Sequence, residues 1–316
     1  MEPAVCYSAM VWQDYHAFTR RFGARLSIED FVRLFEVREN GGKVKIPKGM
    51  EAAFSNPGSE GEKLIFDLMR RYRDRQASTQ MAELIKQRER LLAAQEALAR
   101  KATKKATDEL RIAGNKMAAA QRKIADLDRT DEEPRDSRIY PGDYAPVMIM
   151  QGGERLVVPM RYQCRVAGKP ASYDERFPGT YNARRDNLEG FWRDLFGRSH
   201  GVAVVQRFYE YVERVDADGK PYNQVLEFTP SDSQELLIAC LWSRWTGPDG
   251  EELLSFAAIT DDPPPEVIAA GHDRCIVPIK AEHLDAWLSP DAHDLDVLQA
   301  ILDDRVRPFY QHRDAE

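Results

Sequence analysis

The stretch VAVVQRFYEYV (residues 202–212), followed by LLIACLW (236–242) and LLSFAAIT (253–260), decides the fold of this chain. Each stretch is a short apolar run rich in β-branched or aromatic residues, and turn-forming residues separate the runs, as is typical of buried β-strands. Further strand candidates lie at residues 155–158, 224–228 and 274–279. The C-terminal half is therefore expected to form a sheet of many short strands.

Helical patterns surround these strands. Short helices are expected at about residues 188–196, 281–288 and 295–303. Near the amino terminus, apolar residues at helical spacing predict two amphipathic helices separated at Gly23; they are Tyr15, Phe18 and Phe22, then Ile28, Phe31, Val32 and Phe35. Together these elements predict an α+β fold with flanking helices and a strongly curved, mostly antiparallel, barrel-like sheet.

A long helical insert precedes the strand region. Between residues 63 and 127 there is no proline and only one glycine, Gly114, and Ser59 with Glu62 has capping-box spacing. The second half carries the 3-4 spacing of a coiled-coil seam, at Leu110, Ala113, Met117, Ala120, Ile124 and Leu127. The pattern loses phase at residues 101–107. We therefore expect an antiparallel helical hairpin, residues 61–130, inserted into a single domain formed by residues 1–60 and 131–316.

Charge is distributed unevenly along the 316 residues, whose formal net charge is -7. Residues 70–130 contain sixteen basic and eight acidic residues, whereas the rest of the chain contains 29 basic and 44 acidic residues. The overall negative charge disfavours a nucleic-acid partner, but the insert has a basic excess. Two interpretations of the insert stay open: an arm that packs on itself or self-associates, and an arm that contacts DNA.

The four cysteines, Cys6, Cys164, Cys240 and Cys275, are far apart and form no CxxC pair. This spacing argues against a zinc site and against a disulfide framework. No metal-binding cluster or nucleotide-binding loop is recognisable, so no cofactor is expected. The chain has no run of about 18 apolar residues, and its amino terminus has no basic flank before an apolar stretch. We therefore expect a cytoplasmic protein without a membrane partner.

Four residues are candidates for chemistry: Cys6, Asn182 in YNAR, Glu210 in RFYEYV and His272 in GHDR. Each also has a plain structural interpretation. A lone cysteine is most often a small buried apolar residue, and Asn182 can simply form an Asx-type turn. Glu210 can face solvent from an edge strand, and His272 can fix the turn after a glycine. Taken singly, none of the four predicts a site.

The order of the motifs is more informative than any one of them. The segments CYSA, YNARRD, VVQRFYEYV, LIACLW, LSFAAIT and HDRCIVPI resemble the successive signature blocks of the SOS response-associated peptidase family. The resemblance runs from Cys6 to about Leu288 and is interrupted by the insert. It implies a protein that traps abasic sites in single-stranded DNA through an N-terminal cysteine, with autopeptidase and lyase-like activity.

The resemblance also implies roles for individual residues. Cys6 corresponds to the reactive cysteine, and Asn182 to the asparagine that holds its amine. Glu210 corresponds to the acid/base, and His272 to the second proton-transfer group. The candidates for contact with the DNA backbone are Arg184, which matches the family pattern, and Arg185, Arg161 and Arg165. Candidate supporting residues are Tyr162, Tyr181 and Thr260, and candidates for either base stacking or core packing are Trp192, Tyr162 and Phe208.

One departure from the family pattern concerns the amino terminus. In the family the reactive cysteine directly follows the initiator methionine, whereas MEPAV precedes Cys6 here. With these residues attached, the Cys6 nitrogen is an amide and cannot form an imine. Translation from Val5 is the preferred explanation, and self-cleavage before Cys6 is the alternative.

Two rival functions stay open. One is a cysteine peptidase that acts without DNA, with Cys6 as the thiolate, His272 as the base, and Asn182 or Glu210 orienting it. The other is a non-catalytic interaction protein that works through its coiled-coil arm.

Overall fold

The structure, a computed structural model, describes residues 8–315 and divides the chain into two compact units. The core unit contains the chain up to Leu34, Lys43–Asn56, and the chain from Glu133 onward. The arm unit contains Phe35–Gly42 and Pro57–Glu132. Cys6 lies outside the described residues. Over the described range, no helix has both the length and the apolar character needed to span a membrane.

The helices agree closely with the apolar spacing of the sequence. They are α1 (Tyr15–Phe22), α2 (Ile28–Glu39), α3 (Lys48–Ala52), α4 (Glu60–Arg100), α5 (Lys104–Asp128), α6 (Tyr173–Arg176), α7 (Pro265–Ala270), α8 (Leu284–Leu288) and α9 (Leu295–Asp303). The two predicted N-terminal helices are confirmed as α1 and α2. Gly23 ends α1 with a φ of 63°, a left-handed conformation that favours glycine.

The strands form one curved sheet. They are β1 (Ser8–Val11), β2 (Arg25–Leu26), β3 (Arg138–Ile139), β4 (Tyr144–Gln151), β5 (Glu154–Tyr162), β6 (Asn182–Arg184), β7 (His200–Val215), β8 (Pro221–Pro230), β9 (Leu236–Thr246), β10 (Glu252–Asp261), β11 (Cys275–Ile276), β12 (Pro278–Ile279) and β13 (Tyr310–Asp314). The order β9-β10-β5-β4-β7 closes into a ring, because β7 also pairs with β9. Most pairs are antiparallel, which confirms the predicted fold class; the parallel ones are β2–β5, β5–β10 and β6–β10.

The central strands are buried on both faces of the sheet, which explains why their sequences are continuous apolar runs. In β7, Ala203 and Val205 belong to one large buried apolar cluster, and the alternate residues Val202 and Val204 are also fully buried. A strand that is covered on both faces has no polar side, so the usual alternation disappears.

The sequence-based prediction misses several short elements, among them β1, β13 and α7, and two further differences have a local cause. Strand β4 was not predicted, because Pro146 interrupts its apolar run; in the sheet Pro146 lies directly opposite Pro159 of β5. The helix predicted for residues 188–196 is wrong, since this segment forms a series of turns. There, the Asn187 side chain accepts a hydrogen bond from the Phe191 backbone N–H at 3.0 Å, and Gly190 disfavours a helix.

The arm unit contains the predicted helical hairpin. The capping box of Ser59 and Glu62 lies at the start of α4, as expected. Residues 101–103 separate α4 from α5. The predicted seam of α5 is buried or half-buried, with Ala113 and Ala120 fully buried. A hydrogen bond of 2.8 Å from Arg90 Nε to Glu109 Oε1 connects the two helices.

Candidate active site

Glu210 and His272 meet inside the core unit. The His272 Nε2 atom lies 3.2 Å from Glu210 Oε2, and both side chains are almost completely buried. Gly271, with a φ of 99°, makes this contact possible, because a Cβ there would come within 2.8 Å of Val212 in β7. Only glycine therefore allows the chain after α7 to approach β7 closely enough. The solvent-facing interpretation of Glu210 is wrong.

The contacts of the imidazole imply a proton between the two side chains. His272 Nδ1 lies 2.9 Å from the Arg274 carbonyl oxygen and 3.3 Å from the Arg274 backbone N–H. In either tautomer, the contact between Nε2 and Glu210 requires one proton, carried by the imidazole or by the carboxyl group, since two lone pairs would repel each other. The pair can therefore donate or accept a proton within a dry environment.

Asn182 and Thr260 add polar groups to the same face of the sheet. Asn182 pairs in register with Ala258 of β10, and Ala258 belongs to the buried cluster that also contains Phe208 and Val212 on either side of Glu210. Thr260 follows Ala258 by two residues and therefore lies on that face as well. Both amide atoms of Asn182 and the Thr260 hydroxyl are buried, with no hydrogen-bond partner among residues 8–315. Buried polar groups rarely stay unsatisfied, so these groups can accommodate a ligand.

The four predicted arginines differ in how freely they can bind a phosphate. Arg184 exposes 46% of its side chain and pairs with the more exposed Asp186, at 2.6 Å. Arg185 is bound to Asp261 at 3.1 Å and to Asp303 at 2.7 Å.

Arg161 and Arg165 share one partly buried partner, Asp174, and their side chains are only 15% and 10% exposed. These two arginines lower the pKa of the Asp174 carboxyl against the effect of its burial. Both therefore take part in a largely buried ion pair that stabilises the core unit.

The three described cysteines are buried and unsuited to nucleophilic chemistry. Burial raises the pKa of the thiols of Cys164 and Cys240 to about 12. The pKa of the Cys275 thiol is raised by burial and by the Glu210 carboxylate. These thiols stay protonated at neutral pH, whereas the thiolate is the reactive form.

Aromatic residues of this region fall into two groups. Trp192, Tyr162 and Phe208, predicted as candidates for stacking or packing, are each less than 5% exposed and pack in the core. Phe177 and Phe191, which the sequence reasoning missed, are 36% and 41% exposed, with ring centroids 6.3 Å apart. The signal that could have found them is their position in glycine- and proline-containing turns next to the YNAR motif.

Tyr162 also has supporting contacts. Its ring stacks on Phe256 with a centroid distance of 5.2 Å and packs edge-on against Tyr181 at 5.5 Å. Both tyrosines therefore help to fix the strands next to Asn182.

One surface group within residues 8–315 has the composition of a metal site. Glu282, His283 and Asp304 lie close enough to share an ion. However, the Lys280 ammonium group already pairs with Asp304 at 2.6 Å, and a cation would have to displace it.

Comparison with known proteins gives one family. Residues 97–311 match the sequence model of the family described as SOS response associated peptidase (SRAP). The match covers more than half of the chain and includes Asn182, Glu210 and His272, whereas Cys6 precedes it. No match was found among curated proteins.

Three solved structures have similar folds over part of the chain. A protein from Bordetella bronchiseptica is 20% identical with a TM-score of 0.44, covering 57% of this chain and 87% of its own. A protein from Bacteroides thetaiotaomicron is 16% identical with a TM-score of 0.46, covering 57% and 78%. A phage-related protein from Bordetella bronchiseptica is 20% identical with a TM-score of 0.43, covering 59% and 84%.

Proposed function

Since the chain belongs to the SOS response-associated peptidase family, we propose that it forms a covalent link with abasic sites in single-stranded DNA through Cys6. Family membership itself supports a role associated with DNA damage and a peptidase-like enzyme. The observation that carries the finer proposal is the buried contact of 3.2 Å between Glu210 and His272. This contact provides a proton donor and acceptor beside the strand that leads to Cys6.

The proposed reaction consumes one aldehyde and one aminothiol and releases one water. The free α-amine of Cys6 attacks the aldehyde carbon of the ring-opened sugar and gives a carbinolamine. Glu210 accepts the amine proton and returns a proton to the hydroxyl group, which leaves as water. The Cys6 sulfur then adds to the imine carbon, the thiol proton moves to the nitrogen, and a five-membered thiazolidine results. His272 donates a proton to the sugar ring oxygen as the ring opens.

Chain connectivity supports the role of Cys6. The first described residue, Ser8, pairs with Tyr209, which directly precedes Glu210 in β7. Cys6 is only two residues before Ser8, and two residues span at most about 7 Å. The buried thiols of the other three cysteines leave Cys6 as the cysteine suited to reaction.

Two further residues complete the proposed site. The unsatisfied amide of Asn182 can hold the Cys6 amine in position for attack. The exposed guanidinium of Arg184 can exchange the Asp186 carboxylate for a DNA phosphate, because exposed ion pairs contribute little free energy.

The proposal is tested by denaturing electrophoresis after incubation with single-stranded DNA that carries one abasic site. We expect a shifted covalent band whose formation needs Cys6 and which is lost in Cys6→Ala. Undamaged DNA of the same sequence is the matched control and should give no shifted band. N-terminal sequencing of the same sample should find Cys6 as the first residue. A shifted band of equal intensity in Cys6→Ala would refute the proposal.

Chemical blocking of the amine separates this function from its rivals. Acetylation of the α-amine of Cys6 should abolish the covalent band, because the imine needs that nitrogen. A thiol peptidase would keep its activity after acetylation, since it needs the sulfur alone. A non-catalytic interaction protein would be insensitive to Cys6→Ala.

A further inference from the structure

The turn between α4 and α5 carries an isolated group of positive charges. Arg100, Lys101, Lys104 and Lys105, here called the basic tip, are all exposed. No acidic residue lies between positions 97 and 107. The described residues hold no carboxylate that forms an ion pair with any of these four side chains.

Elsewhere in α4, four of the eight basic side chains form ion pairs with a carboxylate. Lys63 pairs with Glu60 at 2.7 Å, and Arg70 pairs with Asp67 at 3.3 Å. Arg90 contacts Glu109 of α5. The basic tip differs from the rest of α4 in that its four cations lie in a segment, residues 97–107, that contains no acidic residue.

The helix dipole suits Arg100 at the C-terminal end of α4, but at Lys104 and Lys105 folding alone would favour the opposite charge. Lys104 and Lys105 occupy the first turn of α5, which contains no acidic residue. The positive end of the helix dipole lies there, so lysine destabilises the first turn and acidic residues would stabilise it. The other long helices follow this preference, with Glu29 and Asp30 at the start of α2 and acidic residues at the start of α4. A local arrangement that opposes stability is expected where a ligand compensates for it.

The surroundings of the basic tip favour a nucleic acid over a membrane. The neighbouring residues are mainly alanines and threonines, and the tip exposes no large apolar side chain. An amphipathic helix that inserts into a lipid surface uses such side chains to enter the apolar region of the bilayer. Flexible cations with no apolar residues around them suit the phosphates of a DNA backbone, and the family association with DNA damage agrees with that partner.

We propose that the basic tip is a second DNA-binding surface, which holds the phosphate backbone irrespective of sequence or damage. The proposal rests on the proposed DNA partner but not on the covalent reaction of Cys6. The tip would raise the local concentration of DNA strands, and the chemistry would take place elsewhere in the protein.

The experiment uses the full chain with Cys6→Ala, so that no covalent product forms, and a fluorescent undamaged single-stranded oligonucleotide. Binding is measured by anisotropy over a range of salt concentrations. Changing Arg100, Lys101, Lys104 and Lys105 together to Gln should make the slope of log K against log salt less negative by about 3, at roughly 0.7 for each phosphate contact. The affinity should fall at least about tenfold near 0.1 M salt.

A matched variant controls for overall charge. Changing Arg70, Arg71, Arg73 and Lys86 of α4 to Gln removes the same number of charges and should alter the slope by less than about 1. Equal effects of the two variants, or no effect of the tip variant, would overturn the proposal. Polyglutamate provides a further control. If it binds as tightly as DNA and the tip variant loses this binding, the proposal is also overturned, because the tip would then bind any polyanion.

The outcome is separable from that of the proposed function. With Cys6 intact, the tip variant should still form the covalent band at saturating abasic-site DNA. If the band never forms but the tip-dependent slope is observed, the covalent proposal fails and the second surface stands. If the band forms and the tip variant does not change the slope, the covalent proposal stands and the second DNA-binding surface fails.

Discussion

At the scale of single residues, Glu210 is the position where stability and function conflict. A carboxyl group in the middle of a buried strand costs free energy unless hydrogen bonds and a charge partner compensate for it. The surrounding positions on that face, Phe208 and Val212, are fully apolar and buried. An apolar residue would pack there at lower cost, and the proposed role in proton transfer offers a reason for the carboxyl group.

Replacing the acid tests this explanation. Glu210→Gln keeps the size of the side chain but removes its ability to accept a proton, so we expect covalent linkage to abasic-site DNA to slow by about 10² or more. Binding of undamaged DNA should not change. The rate is measured by quenched time points on denaturing gels.

Glu213→Gln provides the control for this prediction. Glu213 lies on the same strand but is exposed, so its replacement should leave the rate within about twofold of the parent. If Glu210→Gln reacts as fast as the Glu213 variant, Glu210 is not the acid/base.

The sequence predicted the residues of the candidate site only in part. The order of the motifs singles out Asn182, Glu210 and His272, but no spacing reveals that Glu210 and His272 touch. Their contact depends on the left-handed Gly271 and its approach to β7. Such close tertiary approach leaves no periodic pattern in the sequence, and the same limit explains why the ion pairs of Arg161, Arg165 and Arg185 were not foreseen.

At the scale of elements, long helices and apolar strands were predicted best. The hairpin follows from a seam that repeats over many residues, and the central strands follow from continuous apolar runs. Prediction failed where one residue changes the local backbone, as Pro146 does in β4 and Asn187 with Gly190 does after β6. The self-association of the arm stays a prediction. The large apolar residues that α4 exposes are Leu64, Phe66, Met81, Ile85 and Leu92.

The hairpin seam contains one buried polar side chain, and its replacement is informative. Gln87 is 1% exposed, donates to Glu83 at 2.7 Å and accepts from Arg90 at 2.9 Å. A polar residue at such a position costs stability while it fixes the register of the helices. We expect Gln87→Leu to stabilise the arm by about 1 kcal/mol, measured by hydrogen exchange of the α4 and α5 amides.

The exposed Gln95 of the same helix serves as the reference. Gln95→Leu should change the free energy of amide-exchange protection in the arm by no more than about 0.5 kcal/mol. Weaker protection in the Gln87 variant would mean that the hydrogen bonds of Gln87 contribute more free energy than apolar packing can replace.

At the scale of the whole molecule, a buried histidine couples stability to pH. His200 accepts a hydrogen bond at Nε2 from the Gly197 N–H at 2.9 Å, and its Nδ1 lies 3.1 Å from the Trp287 carbonyl oxygen. Burial lowers the pKa of His200 to about 3. The unfolded chain therefore binds a proton at this residue below about pH 6.5, whereas the folded chain does not until about pH 3. The stabilising contribution is complete above about pH 6.5 and is lost as the pH falls towards about 3.

Urea unfolding at two pH values checks this linkage. Between about pH 7 and pH 4.5, the parent should lose about 2–3 kcal/mol more unfolding free energy than His200→Gln, at about 1.4 kcal/mol per pH unit. The exposed His312→Gln variant should behave like the parent. An identical pH dependence of the His200 variant and the parent would contradict the assignment.

The pairing of β1 has a consequence for how the protein is made. This strand is synthesised well before its partners in the sheet, which are Arg138 and Ile139 of β3 and residues 205–209 of β7. Translation must continue to His272 before the contact between Glu210 and His272 can form. A chain that stops before His272 would thus contain β1 and Glu210 without the buried contact between Glu210 and His272.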